Sequence, residues 1–203
     1  FLHPTVHQLA EQCTPARPAY APQEAIVGPQ LLTPIQHWFF EQRIPARAHW
    51  NQSFLLEGPS DLSLAALATL LDRLVEAHDV LRLRFAPAAA GWQAEYGNSA
   101  AGVALSAHDL SDLDPHSQGS ELARLSERAK AALDLTRGPL MAAVLFDLGA
   151  RGKRLLWTIH HLLIDTVSWR ILLADLATLH AQYRRGEPLR LAPKTTPFQY
   201  WAQ

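Results

Sequence analysis

The sequence predicts one mixed α/β unit, with helices packed on a mixed β-sheet, and three observations predict it. The chain has 203 residues, 48% of them apolar and only 18% charged. The charged share falls below the roughly 25% of ordinary soluble domains, so much of the chain must be interior, and neither a disordered tail nor a fibrous rod fits. Apolar residues recur at helical spacing in some stretches and at strand spacing, or in short unbroken runs, in others. These stretches are interspersed without regular strand–helix–strand alternation, which argues against a doubly wound parallel sheet.

The elements follow in chain order. His3-Pro4-Thr5, then Val6, Leu9 and Ala10, open a short amphipathic helix, too short to fold alone. Pro15, Pro18, Pro22 and Pro29 resist helix and strand, so residues 13–29 read as a linker. Thr33 is an N-cap, Pro34 the first helical residue and Gln36 the third position past the cap, a helix start. That helix carries Trp38, Phe39 and Phe40, read as packing residues, and ends by Pro45. Asn51–Glu57 reads as a strand, and Leu64, Leu67, Ala68, Leu71, Leu74 and Val75 as a helix face ending near His78.

The period then switches to two. Leu81, Leu83 and Phe85 alternate with Arg82 and Arg84, predicting a strand with its guanidiniums on the opposite face, either solvated or in ion pairs. Gly91–Tyr96 and Val103–His108 are further short strands. Asp114-Pro115 opens a helix with Leu122, Leu125, Ala129, Ala132 and Leu133 inward. Leu140–Phe146 is an apolar run of strand length, expected at the centre of a sheet, and Arg154–His160 continues as a strand. Val167, Ile171, Leu172, Leu176, Leu179 and Tyr183 form the stripe of a long helix stopped by Gly186 and Pro188.

Charge and cysteine usage exclude several functions. Eighteen Lys and Arg against 19 Asp and Glu leave a net charge of −1, no field for nucleic acid or anionic membrane. The one cysteine, Cys13, cannot form an internal disulfide, so a reducing compartment, the cytoplasm, is expected. Apolar stretches fall short of the ~20 residues of a spanning helix, and the first ten residues lack the layout of a signal peptide. The sequence opens on Phe1 rather than Met, so a piece of a longer polypeptide is expected. No P-loop, G-x-G-x-x-G or zinc-type Cys/His spacing is present, so neither nucleotide nor metal is expected.

The chemistry-bearing stretch is Trp157-Thr158-Ile159-His160-His161-Leu162-Leu163-Ile164-Asp165. Adjacent residues on a strand face opposite ways, so one histidine can enter the core while the other meets a cleft, which makes them poor twin ligands for one metal. Asp165 at the mouth of the long helix is favoured by the helix dipole and should stay ionised. An imidazole with pKa about 6.5 can exchange a proton near neutrality. Residue physics alone leaves two readings open, a pair of structural histidines or one catalytic imidazole.

The run His160-His161-Leu162-Leu163-Ile164-Asp165 resembles the H-H-x-x-x-D-G signature of the condensation-domain superfamily of non-ribosomal peptide synthetases. Thr166-Val167-Ser168-Trp169-Arg170-Ile171-Leu172-Leu173 looks like its epimerization branch, as do Leu32–Phe40 and His49-Trp50-Asn51-Gln52-Ser53. His78–Phe85 is similar to the superfamily's H-x-x-L-R-x-x-F. The resemblance runs from about Gln30 to the C-terminus.

It implies a chloramphenicol acetyltransferase-like fold of two lobes with a tunnel between them, residues 30–203 forming the N-terminal lobe. It makes His161 catalytic, with His160 and Asp165 as structural support. The substrate would be an aminoacyl or peptidyl thioester on the 4′-phosphopantetheine of a partner carrier domain, with no cofactor bound directly. The reaction would be inversion of the α-carbon, a glutamate from the second lobe serving the opposite face. Condensation, or carrier docking without catalysis, are the alternatives. Residues 1–12 look like the tail of a carrier domain. The signature's glycine is Thr166 here. Glycine often marks positive φ or close approach, so Thr166 is a tunnel-lining candidate with two readings: it narrows the passage, or the helix starts slightly differently and tolerates it.

Overall fold

The computed structural model describes residues 5–12, 21–89, 91–97 and 102–203. Cys13 and most of the predicted linker lie outside the described residues. The first helix, α1 (Val6–Gln12), starts at a reciprocal cap: Gln8 N–H donates to Thr5 Oγ1, and Thr5 N–H to Gln8 Oε1. The remaining elements are β1 (Gly28–Gln30), α2 (Pro34–Glu41), β2 (Asn51–Gly58), α3 (Leu64–Ala77), β3 (Leu83–Ala88), β4 (Gly91–Tyr96), β5 (Ala104–Asp109), α4 (Pro115–Ala131), β6 (Met141–Asp147), β7 (Lys153–His160), α5 (Thr166–Arg184) and α6 (Phe198–Trp201).

The strands form two sheets rather than one. The larger has the order β2-β7-β6-β5, antiparallel except for the parallel β5–β6 pair, so it is the predicted mixed sheet with β6 inside it. A smaller antiparallel sheet, β1-β4-β3, stands beside it. Because Gly28–Gln30 pairs with Ala94–Tyr96, the folded unit begins ahead of residue 30.

Strand alternation divides the interior of the larger sheet. Ala143, Leu145, Leu155, Trp157 and Ile159 join α3 and α5 side chains in the main core, while Val144, Phe146 and Leu156 pack with Leu110, Leu125 and Leu148 under α4. Both faces are covered, which is why β6 reads as an unbroken apolar run. The Asp114 carboxylate caps α4 at its predicted start, accepting from His116 and Ser117 N–H, and Ser63 Oγ caps α3, accepting from Ala66 N–H.

Expectations also change at Arg82 and along α5. Residues Asp79–Arg82 form a 3₁₀ turn and β3 begins at Leu83, so Arg82 is not on a solvated strand face but buried, 4% exposed. Its guanidinium donates to the carbonyls of Gly97 and Ile26 and pairs with Asp79, partners that a local alternation pattern does not reveal. The stripe expected on α5 also splits. Leu172 and Leu179 are buried, but Val167, Ile171 and Tyr183 face outward, and Trp169 takes the inner position instead. Trp169 meets Trp157 and Phe54 edge-on, at ring separations of 5.2 and 4.9 Å. That aromatic contact sets the helix's rotation.

Candidate active site at the end of β7

Strand β7 delivers the two histidines, and alternation separates them as predicted. His160 is fully buried. Its Nε2–H donates to the Arg47 carbonyl at 2.8 Å, and its Nδ1 accepts from Leu162 N–H at 3.1 Å. Phe39 lies edge-on to the ring at 5.8 Å. Burial pushes the His160 pKa down to about 4, outweighing the bond to Arg47, so the ring is neutral and structural. It ties the strand end to the 3₁₀ turn 47–49.

His161 is exposed. Its backbone N–H donates to the Trp50 carbonyl at 2.9 Å, extending the β2–β7 ladder by one bond. Nδ1 lies 2.7 Å from the Ile164 carbonyl, and Nε2 lies 3.2 Å from the Gln52 side-chain amide. The loop that carries it is held at three points. Leu163 N–H donates to the His160 carbonyl, and the buried Gln36 amide donates to the Leu162 carbonyl while its oxygen caps Thr33 N–H. The third point is the start of α5, where the Asp165 carboxylate accepts from the backbone N–H and hydroxyl of Ser168, both at 2.8 Å. These bonds hold the Asp165 pKa below the ordinary carboxylate value.

Asp165 therefore anchors the loop by capping a helix. Among the described residues no carboxylate hydrogen-bonds the His161 ring, whose orientation comes from one carbonyl and one amide. The imidazole faces a depression of about 670 Å³, with Ile35, Trp38, Trp50 and Leu162 as apolar walls and Ser168 on the rim. Trp38, 50% exposed, belongs to this wall, and the buried Phe39 lies behind it, whereas Phe40 is buried away from the depression. Such a site can accept or donate one proton at Nε2, or stabilise one developing oxyanion, beside apolar surface.

Thr166 is the first residue of α5, exposed, and does not line the depression. No described non-glycine residue has a positive φ, so its backbone asks for no glycine. Because the Thr166 side chain lies outside the depression, its loss is expected to change the activation barrier by no more than about 0.4 kcal/mol, about twofold in rate. Thr166→Gly in the intact domain is therefore expected to leave turnover within that margin. A larger rise in a steady-state assay would put the threonine in the substrate's path.

Gln52, Gln36 and Trp169 gain site roles that sequence reasoning does not assign, although each lies in a stretch that carries the resemblance. A polar residue at a strand end is an ordinary feature, and only the β2–β7 register, which pairs Gln52 with Ile159, brings its amide beside His161.

An α/β lobe with a buried–exposed histidine pair and a helix-capping aspartate is the class that fold and site define. The condensation domain family model matches residues 27–203, and the chain belongs to that family. It is 39% identical over 204 residues to chondramide synthase of Chondromyces crocatus, covering 100% of this chain and 5% of that protein. The crystal structure of the epimerization domain from the third module of tyrocidine synthetase B superposes with a TM-score of 0.85 at 30% identity, over 90% of this chain and 41% of that one. The first condensation domain of the calcium-dependent antibiotic synthetase superposes with a TM-score of 0.68 at 28% identity, over 81% and 40%. The chain is thus a condensation-superfamily domain of the non-ribosomal peptide synthetase type, with the mixed α/β fold expected. It spans a small fraction of the curated relative and under half of the solved domains.

Proposed function

We propose that this chain is the N-terminal lobe of an epimerization domain, with His161 as its catalytic imidazole. The observation that carries the reading is the His161 ring itself, exposed at a strand end and turned toward an apolar-walled depression. The branch is supported by the run Val167-Ser168-Trp169-Arg170-Ile171-Leu172 and by the higher and wider likeness to an epimerization domain than to a condensation domain. The substrate is an aminoacyl or peptidyl thioester on the phosphopantetheine arm of a carrier domain, and α1 would be the tail of that carrier. Residence in the cytoplasm fits this substrate.

Removing the α-proton leaves an enolate oxyanion on the thioester, and returning a proton to the opposite face inverts the centre. Nε2 of His161 is placed to serve one face or the oxyanion. The other face needs a group from the second lobe, so residues 1–203 alone are expected to be inactive.

The test is chiral analysis of the carrier-bound residue released from the intact domain, with no downstream acceptor present. D-residue formation is expected, and His161→Ala should lower it by about 10²–10⁴-fold. Amide formation only when an acceptor is supplied would make the domain a condensation enzyme. An unchanged His161→Ala rate would leave a docking lobe.

A further inference from the structure

Two bonds fix the Gln52 amide at the site. The Trp169 indole nitrogen, buried in α5, lies 3.0 Å from Gln52 Oε1, and an indole N–H can only donate. The Gln52 oxygen therefore points at Trp169, leaving its NH₂ facing His161 Nε2 at 3.2 Å. An amide NH₂ only donates, so Nε2 must be the acceptor. On the other side of the ring the Ile164 carbonyl, which only accepts, lies 2.7 Å from Nδ1, so Nδ1 must carry the hydrogen. Two independent partners specify one tautomer. In the other tautomer, two N–H donors would meet at Nε2 and two lone pairs at Nδ1, with both bonds lost.

We infer that Gln52, held by the Trp169 indole, is a positioning residue that selects the Nδ1–H tautomer of His161 and keeps Nε2 unprotonated, its lone pair resting on the amide NH₂ until a substrate proton takes that place. The device works where a carboxylate would not. A carboxylate beside Nε2 accepts rather than donates, and would draw a proton onto the nitrogen that must stay unprotonated. The Trp169 ring gains its second role from packing: edge contacts with Trp157 and Phe54 fix the indole, and the indole fixes the amide. The chain of constraint runs from the aromatic core of α5, through the end of β2, to the imidazole. The link to turnover rests on the proposed epimerization; the tautomer does not.

The experiment uses the intact domain labelled with ¹⁵N in its histidine rings, at a pH roughly two units above the ordinary histidine pKa of about 6.5. Two-bond ¹H–¹⁵N correlation reads each ring nitrogen, and the His161 signals are assigned by their loss in His161→Gln. The wild type is expected to show a protonated Nδ1 and a bare Nε2. Gln52→Leu and, independently, Trp169→Phe should each give a mixture of tautomers. Gln52→Leu should also lower kcat about tenfold or more with KM little changed, as expected when the wrong tautomer is populated.

A wild-type Nε2–H signal, or a tautomer unmoved in both variants, overturns the inference. So does an unchanged kcat in Gln52→Leu where His161→Ala is inactive. If His161→Ala is fully active while the tautomer shifts as expected, the proposed function fails and the tautomer selection stands.

Discussion

Asp79→Ala is expected to destabilise the protein by about 3–5 kcal/mol, the range for removing one partner of a buried ion pair. Asp79 and Arg82 are both buried, and the Lys194 ammonium is largely so. One Asp79 oxygen accepts from Arg82 and from Ile26 N–H, and the other from Lys194 at 2.9 Å. Arg82 also donates to Ile26 and Gly97 carbonyls, and Lys194 to the Glu24 carbonyl. A single carboxylate thus gathers the segment before β1, the turn before β3 and the segment after α5. Removing it leaves two cations drawn out of water with only carbonyl partners. Surface ion pairs such as Arg124–Glu121 are screened by water and contribute little by comparison, so the cluster dominates the electrostatics of the fold. Urea titration should show a lower midpoint with an unchanged slope. A loss under about 1 kcal/mol would mean that the cluster is solvated and the packing of its three segments comes from apolar contacts alone.

The same cluster marks where sequence reading runs out. Helix starts at Thr33 and Asp114 depend on residues two or three apart, and β6 on a continuous apolar run, so both are legible. The separation of His160 from His161 follows from strand alternation and is legible too. Arg82 is misplaced by its sequence because L-R-L-R-F satisfies a strand pattern, while the partners that bury the guanidinium are 3, 15 and 56 residues away. Gln52 escapes notice for the same reason, being 109 residues from His161. The face of α5 is misjudged because Val167, Ile171 and Tyr183 obey the period but the large Trp169 competes for the interior and wins. Local periodicity therefore places the elements, and long-range polar pairing, which it does not encode, builds the site. The family comes from neither; it comes from several motifs in their family order.

His160 supplies the second large effect, and it is one of pH. The folded ring, fully buried, titrates at about 4, and the unfolded ring near 6.5. Between these values the unfolded chain binds a proton that the folded one does not, so acid favours unfolding. The contribution of neutral His160 is complete above about pH 6.5 and declines by about 1.4 kcal/mol per unit as pH falls. The decline ends near pH 4, where the folded ring also protonates, after a loss of about 3 kcal/mol. The hydrogen-bonded carboxylates Asp114, Asp134 and Asp165, whose pKa values are lowered in the fold, add their own loss as pH falls through the ordinary carboxylate value and below it, so their window opens where the His160 decline is ending. His160→Gln keeps a neutral polar group at this position at every pH. Its unfolding free energy, measured by urea titration at several pH values from about 7 to about 4.5, should therefore lack the His160 slope and converge on the wild type in acid, whatever the offset at neutrality. Parallel curves for the two proteins would show that the ring takes up its proton without unfolding the strand end, and that the bond to Arg47 survives as an imidazolium–carbonyl contact.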